Sequence, residues 1–230
     1  MFDRVGERHS DAMSLTRPPG VYRPQDDTWL LAEALDEAGI RPGAAVLDVG
    51  CGTGALSIAA ASVQPRSITA IDVSRRAVLA ARVNTALRGV RAEVRHGDAF
   101  ALVAGRTFDL VLANPPYVPG REERPRGRDR AWDAGLDGRV QLDRLCVNAP
   151  LLLAPGGTLL LVHSGLCDEE KTLRQLRGGG LKATVVARAD VPFGPVMTAR
   201  RHRLVELGLI TPEQSTEELV VIRGDQPTTT

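Results

Sequence analysis

The feature that most constrains this chain is the alternation, from residue 44 onward, of short β-rich runs with runs of helical character. The β-rich runs predict strands over 44–49, 67–72, 91–96, 108–114, 158–164, 182–189 and 218–224. Helices are predicted over 25–39, 54–63, 74–87, 138–153, 168–177 and 199–208. Because strands separated by helices pair in parallel through right-handed crossovers, the pattern predicts an α/β fold with a mostly parallel sheet covered on both faces.

Length and composition indicate one globular domain. The 230 residues are 43% hydrophobic and 25% charged, close to the average for globular proteins. We expect a flexible arm over 1–20, a single domain over 21–224 with an insert at 192–215 before the last strand, and a tail over 225–230. The net charge of +1 provides no domain-wide basic field, which argues against non-specific nucleic-acid binding.

The cysteines and residues 1–20 indicate the cellular compartment of the protein. Cys51, Cys146 and Cys167 lie far apart and lack metal-site spacing, so we interpret them as thiols in a reducing compartment. The four histidines are also scattered, and we predict no metal. Residues 1–20 lack the apolar core of a signal peptide, and no apolar run approaches the roughly 20 residues that span a bilayer. We therefore expect a cytoplasmic protein without a membrane partner.

A glycine-rich turn follows the first predicted strand and opens a helix. Gly50, Gly52 and Gly54 stand where the backbone must bend tightly and where a ligand must approach closely. They are therefore candidate ligand-binding residues at the carboxyl end of a strand. The same run satisfies a dinucleotide-binding pattern, so by itself it leaves the ligand open.

Carboxylates at the ends of three successive strands narrow the choice of ligand. Asp48 precedes the first glycine, where it would repel a pyrophosphate but attract the ammonium and sulfonium groups of S-adenosylmethionine. Asp72 ends the second strand, the usual position of an acid that binds ribose hydroxyls, and Asp98 follows the third, where it can accept from an adenine amino group. Each acid alone would also suit a turn or a helix cap. Together they favour S-adenosylmethionine as the cofactor.

The sequence Asn114-Pro115-Pro116-Tyr117 follows the fourth predicted strand. The NH2 nitrogen of an amide or a nucleobase is a weak nucleophile because its lone pair is delocalised. The Asn114 side-chain oxygen and the Pro115 carbonyl can accept both N–H groups and aim the lone pair at a methyl donor. The prolines stiffen the turn, and Tyr117 can lie against the planar group. The loop therefore predicts methyl transfer to such a nitrogen.

Together these motifs resemble class I methyltransferases of the HemK2 and Mtq2 type, relatives of the enzymes that methylate the glutamine of the Gly-Gly-Gln motif in release factors. The resemblance covers about 20–190 and the last strand. It includes VYRPQDDT at 21–28, DVGCGTG at 48–54, NPPYV at 114–118 and AWDAGLDGR at 131–139. It implies a Rossmann-like class I methyltransferase fold, with a seven-stranded, mostly parallel sheet, helices on both faces and an antiparallel last strand.

The resemblance also implies roles for individual residues. The cofactor would be held by Tyr22, Thr28, Asp48, Gly50, Gly52, Gly54, Asp72, Asp98, Ala99 and Asn114. The acceptor amide would contact Asn114, Pro115, Pro116 and Tyr117. The floor of the substrate pocket would be shaped by Gly135, Asp137, Gly138 and Arg139.

The acceptor implied by the resemblance is a protein glutamine methylated at N5, in a protein such as a translation release factor. Arg23, where the family has an acid, and the arginine-rich insert at 192–215 depart from the family pattern and leave the acceptor open. The alternatives are an N6-adenine methyltransferase acting on RNA or DNA and a small-molecule methyltransferase. The loop 121–130 holds five arginines and would either guide an acidic partner or serve as a solvated lid. Relatives of this type work with a small activator subunit, which is a further candidate partner.

Overall fold

The protein is described by a computed structural model that covers residues 14–119 and 134–228. One sheet contains β1 (Ala45–Val49), β2 (Ser67–Asp72), β3 (Glu93–His96), β4 (Phe108–Ala113), β5 (Leu153–Ser164), β6 (Lys182–Pro192) and β7 (Thr216–Asp225). The strand order is β3-β2-β1-β4-β5-β7-β6. Strand β7 is antiparallel to β5 and β6, and the pairs among β1 to β5 are parallel. The predicted seven-stranded, mostly parallel sheet with an antiparallel last strand is confirmed.

Helices connect most of the strands. The described α-helices are α1 (Asp26–Glu37), α2 (Ala55–Ala59), α3 (Arg75–Leu87), α4 (Ala99–Leu102), α5 (Val140–Leu152), α6 (Glu169–Gly178) and α7 (Pro195–Glu206). Short 3-10 turns at Ala60–Val63 and Gly165–Cys167 extend α2 and precede α6. The sequence predicted every helix except α4, whose four residues are too few to show a helical period.

The two largest differences between predicted and observed boundaries have local reasons. Helix α7 begins at Pro195 rather than near residue 199, because the fixed φ of proline suits the first helical position. Strand β5 begins at Leu153, before a Pro-Gly-Gly sequence that has the composition of a turn. Its pairing with β4 shifts register between Phe108 and Leu110, which accommodates those residues.

Successive residues of the central strands build two apolar layers. Leu47 and Leu161 pack with α4, α5 and α6 on one face, whereas Val46 and Leu160 pack against α1 and α2 on the other. All four side chains are fully buried, and each contributes about 1.5–3 kcal/mol to the free energy of unfolding. Because both faces are covered, the strands are continuous apolar runs rather than alternating ones.

The strand order determines where a ligand can bind. From β1 the chain moves outward through β2 to β3 and then returns to β4 on the other side of β1. Loops after β1 and β4 therefore leave the sheet in opposite directions and open a crevice at the carboxyl ends of the strands. The glycine turn and the Asn-Pro-Pro-Tyr loop are the two loops that border this crevice.

Part of the predicted N-terminal arm lies against α3. The backbone N–H of Thr16 donates to the Asn84 side chain at 2.8 Å, and the Asn84 amide donates back to the Thr16 carbonyl at 2.9 Å. Residues 1–13, the arginine-rich loop 121–130 and the start of the AWDAGLDGR run lie outside the described residues. Within the described ranges no helix combines the length and apolarity needed to cross a bilayer.

Candidate active site

A cavity of about 830 Å³ lies at the carboxyl ends of β1, β2 and β4. Most of the predicted site residues line it: Tyr22, Thr28, Gly50, Gly52, Asp72, Asp98, Ala99, Asn114, Pro115, Pro116 and Tyr117. We call the part lined by Gly50, Gly52, Asp72, Asp98 and Ala99 the glycine end. The part lined by Tyr22, Asp27, Asn114, Tyr117 and Glu217 is the tyrosine end.

The glycine end is built around Asp72. Its Oδ2 accepts from the Gly52 N–H at 3.0 Å and its Oδ1 accepts from the Ser74 N–H at 2.7 Å. Burial raises the pKa of Asp72, and these backbone hydrogen bonds partly offset the rise. Gly50 and Gly52 have φ of +74° and +54°, and a Cβ at either position would meet nothing within 4 Å. A side chain at either position would have room but would strain the backbone at positive φ. The turn that holds Asp72 at the cavity wall therefore needs the conformational freedom of glycine.

Asp48 and Gly54, both predicted to bind the cofactor, lie behind the cavity wall. Asp48 is fully buried and accepts a hydrogen bond from the Ser57 hydroxyl at the start of α2. Burial raises its pKa to about 6, and the nearby charge of Asp72 adds to the rise. A Cβ on Gly54 would lie 3.1 Å from Cα of Ala81, so this glycine lets α2 and α3 approach closely. The structure thus gives both residues a supporting position beneath the turn.

Asp98 already has partners in the structure. Its carboxylate accepts from the Ala101 N–H at 3.1 Å, which caps α4, and pairs with Arg144 of α5 at 2.5 Å. Burial acts to raise the pKa of Asp98, but the hydrogen bonds from Arg144 and the backbone lower it overall. The Arg144 guanidinium lies 4.6 Å from the centre of the Phe100 ring, and both side chains line the cavity beside Ala99. The two form a flat wall against which a planar group can stack.

The tyrosine end converges on Asp27, which is 3% exposed. Its Oδ2 accepts from the hydroxyls of Tyr22 at 2.7 Å and Tyr117 at 3.1 Å. Its Oδ1 accepts from the Thr28 hydroxyl at 3.0 Å. Burial and the charge of Asp27 raise the pKa of both tyrosines well above the ordinary value, so both phenols remain protonated donors.

Thr28 links this network to the Asn-Pro-Pro-Tyr loop. The Asn114 Nδ2 donates to the Thr28 hydroxyl oxygen at 3.2 Å. Because the amide nitrogen is used in that bond, Oδ1 is the atom that Asn114 presents as an acceptor. A chain of hydrogen bonds from Tyr117 through Asp27 and Thr28 therefore orients the Asn114 amide.

The residues predicted to shape the pocket floor, Gly135, Asp137, Gly138 and Arg139, do not line the cavity. Asp137 is exposed, whereas Gly138 is packed against the Asn-Pro-Pro-Tyr loop. Gly138 has φ of +74°, and a Cβ there would clash with the Tyr117 carbonyl and lie 2.9 Å from Sγ of Cys167. Arg139 is buried and donates to the carbonyls of Cys167 and Asp168, the latter at 3.0 Å. It also donates to the side chains of Asp143, Thr172 and Gln175. These contacts fix the turn that contains Cys167, and the Cys167 thiol in turn donates to the Tyr117 carbonyl at 3.0 Å.

The predicted insert packs on the same loop. Met197 and Leu204 of α7 form an apolar cluster with Val118 and Ile210. Arg200 donates to the Pro119 carbonyl at 2.9 Å, just past Tyr117. The insert therefore closes one side of the tyrosine end.

The chain matches a known protein family. The family model described as methyltransferase small domain matches residues 13–188. The chain belongs to that family. Together with the curated relatives described next, this match confirms the resemblance to HemK2-type methyltransferases.

Curated relatives of this methyltransferase carry related names. A protein of Methanocaldococcus jannaschii named as a protein N5-glutamine methyltransferase is 35% identical over 84% of this chain and 98% of its own length. A release factor glutamine methyltransferase of Deinococcus radiodurans is 39% identical over 68% of this chain, which spans 59% of that relative. Mouse methyltransferase HEMK2 is 34% identical over 71% of this chain and 81% of its own length.

Solved structures share the fold. The Mtq2 and Trm112 complex of E. cuniculi, described as responsible for methylation of the eRF1 termination factor, contains a chain that superposes with a TM-score of 0.65. The identity is 21%, over 90% of this chain and 99% of that one. This similarity confirms the Rossmann-like fold of the methyltransferase.

Three charged residues of the methyltransferase cavity were not predicted from the sequence. Asp27 at the start of α1 suggests only a charge favourable to the helix dipole. Arg144 on α5 lies among ordinary amphipathic helix residues. Glu217, which lines the tyrosine end, lies in a segment whose sequence carries no recognisable motif. Only Asp27 had a usable signal, since it belongs to the VYRPQDDT sequence at 21–28.

Proposed function

We propose that this methyltransferase transfers the methyl group of S-adenosylmethionine to the side-chain amide nitrogen of a protein glutamine, with a translation release factor as the substrate. The observation that carries the proposal is the orientation of Asn114. Its Nδ2 is committed to Thr28, which leaves Oδ1 to accept an N–H of the acceptor. Pro115 has no N–H to compete for that position, and its carbonyl is a second acceptor.

The glycine end fits the cofactor. Each Asp72 oxygen is held by one backbone N–H and retains a lone pair for a ribose hydroxyl. The flat wall of Arg144 and Phe100 suits the adenine ring, next to the predicted contacts at Asp98 and Ala99. When bound, the cofactor supplies an electrophilic methyl carbon on a positively charged sulfur. Asp48 behind the turn and Asp72 at the wall favour that charge.

The tyrosine end can position the acceptor nitrogen and stabilise its developing charge. The Asn114 Oδ1 and the Pro115 carbonyl can accept the two N–H groups of the acceptor. These bonds aim the nitrogen lone pair at the methyl group and stabilise the positive charge that develops on nitrogen. Tyr117 is held by Asp27 and provides a rigid face for the planar amide. Positioning and electrostatics therefore account for the catalysis, and the methylated nitrogen is acidic enough to lose its proton.

The charge of the tyrosine end favours an amide over a nucleotide. The same loop would also hold the amino group of adenine, which is the main alternative. However, Asp27 and Glu217 both lie at this end, and a nucleotide brings phosphates close to any base it presents. A neutral glutamine side chain meets no such repulsion.

The curated relatives support the same acceptor. The M. jannaschii relative, which this chain matches over nearly its full length, is named for protein glutamine. The Deinococcus relative is named for release factors, and the E. cuniculi structure is described as acting on eRF1 in complex with Trm112. We include a small activator subunit in the proposal on that basis.

The test is incubation of the purified chain with labelled S-adenosylmethionine and a purified release factor, followed by tryptic digestion and mass spectrometry. We expect one methyl group on the glutamine of the Gly-Gly-Gln sequence. A parallel reaction on total cell extract, treated with nuclease or protease, separates the alternatives. Label that disappears with nuclease would overturn the glutamine proposal. Activity that appears only after a fraction of small proteins from the cell extract is added would show that an activator subunit is needed.

A further inference from the structure

Glu217 is a buried acid that lines the cavity, unlike Asp48, whose Oδ1 also lacks a partner among the residues that the structure describes but lies behind the cavity wall. It is the second residue of β7, it is 5% exposed, and it lines the tyrosine end of the cavity. Its Oε2 has no hydrogen-bond partner within the described residues. A buried, unpaired carboxyl oxygen is costly, and such groups are retained mainly where a ligand completes them.

In the described part of the chain, the polar and ionisable groups close to Glu217 are one acid, three hydroxyls and a thiol. They come from the segment that opens α1, from the Asn-Pro-Pro-Tyr loop, and from the end of β5 with its 3-10 turn: Tyr22, Asp27, Tyr117, Ser164 and Cys167. Helix α7 contributes the apolar side chains of Val196 and Met197 to the same wall. The Arg200 guanidinium of that helix is bonded to the Pro119 carbonyl.

We propose that Glu217 is a specificity-determining residue that accepts a hydrogen bond from an N–H group of the acceptor chain beside the methylated glutamine. The proposal rests on the proposed function, since it requires a polypeptide acceptor. It adds a second anchor to the one at Asn114, on a different element of the fold. The enzyme then holds a peptide at two points and aligns the amide between them.

An N–H group is the partner that suits this position. Asp27 lies close enough for its charge to raise the pKa of Glu217. A carbonyl or phosphate oxygen of a ligand would face two acids, whereas an N–H donor is attracted by both. The polypeptide backbone supplies such donors at every residue except proline.

The protonation of Glu217 gives the contact a pH signature. Burial, partly offset by a hydrogen bond from Ser164 and reinforced by Asp27, raises the pKa of Glu217 to about 7. Because an N–H donor binds the ionised carboxylate better, the KM for the acceptor should fall as the pH rises from about 6 to 8. A contact made by the protonated acid to a carbonyl would give the opposite trend.

The experiment measures kcat and KM for a purified release factor across that pH range. For Glu217→Leu, which removes both oxygens, we expect KM to rise about 10- to 100-fold while kcat changes less than about threefold. Glu217→Gln keeps the shape and one acceptor, so KM should rise only about threefold and lose its pH dependence. The control is Glu218→Gln, the next residue on β7, whose exposed carboxylate pairs with Arg188. This control should match the wild type.

The outcomes separate this inference from the function on which it rests. If the wild type does not methylate the release factor, the proposed function fails. If the wild type is active but Glu217→Leu and Glu217→Gln keep its KM and pH profile, Glu217 does not recognise the acceptor. A KM that rises with pH in the wild type would also overturn the proposal. Equal affinity of all variants for S-adenosylhomocysteine, measured by calorimetry, shows that they are folded.

Discussion

The two ends of the cavity are built on different principles. At the glycine end, Asp72 is held by backbone N–H groups of Gly52 and Ser74, which are supplied by the turns after β1 and β2. At the tyrosine end, Asp27 is held by the nearby side chains of Tyr22 and Thr28 and by Tyr117, which is 90 residues away in the sequence. The first end needs correct turns on neighbouring strands, whereas the second also needs the loop after β4 to reach the start of α1. With the cofactor at the glycine end and the acceptor at the tyrosine end, as proposed, cofactor binding should tolerate changes at the tyrosine end, and the following variants test that independence.

The largest effect is expected for Asn114→Ala. Loss of the oxygen that aims the acceptor nitrogen should lower kcat by about 10²- to 10³-fold, by analogy with removal of one polar group that stabilises a transition state. Affinity for S-adenosylhomocysteine, measured by calorimetry, should stay within about threefold of the wild type. Retained turnover would show that Asn114 is not the anchor, and a large loss of affinity would show that the two ends are coupled.

Asp72→Asn tests the opposite end. Replacing a carboxylate by an amide weakens charge-assisted hydrogen bonds to ribose hydroxyls, so affinity for S-adenosylhomocysteine should fall by about 10- to 100-fold. The KM for the acceptor, measured at saturating cofactor, should change little. Unchanged affinity would remove Asp72 from the predicted ribose contact.

Arg139→Leu tests the support beneath the tyrosine end. The substitution leaves the Cys167 and Asp168 carbonyls without their donor and should lower the free energy of unfolding by about 2–4 kcal/mol. Denaturant unfolding measures this loss, and Arg174→Leu, at an exposed side chain of α6, serves as the control. A change below about 0.5 kcal/mol would mean that the loop is held without Arg139.

Tyr117→Phe is expected to have the smallest effect. The ring and its contact with the acceptor remain, but the hydroxyl no longer donates to Asp27. We expect kcat to fall about three- to tenfold, because the hydrogen-bond chain that orients Asn114 loses one member. Tyr22→Phe removes the other phenol from the same oxygen and gives the comparison. If the effects of Tyr117→Phe and Tyr22→Phe on kcat simply add in the double variant, the hydrogen-bonded residues do not act as a unit.

The fold and the glycine end were predictable because their signals are local. Strand and helix periods are read over ten or so residues, and the acids that follow β2 and β3 are adjacent to the strands they follow. The exceptions also have local causes, since α4 is too short to show a period and the start of β5 passes through turn residues. Membership of the methyltransferase family, stated from the motifs, is confirmed by the family model.

The tyrosine end was only partly predictable because its signals are distributed. Asn114 and Tyr117 stand out by their motif, but nothing in the sequence shows that Asp27 is the residue on which the two tyrosines converge. Glu217 is one hundred residues from Tyr117 in the sequence. The two meet only because β7 inserts between β5 and β6, which brings the start of β7 to the edge where β4 ends.

The amino-acid sequence by itself determined the order of strands and helices, the two loops at their ends and the family to which the chain belongs. These depend on backbone preferences and side-chain periodicity within short segments. Only the tertiary structure decided which acids face the cavity, which lie behind it and which carboxyl oxygens have no partner among the described residues. Burial and hydrogen bonding depend on residues that are distant in sequence and come together on folding. The raised pKa values of Asp48 and Glu217 result from that burial.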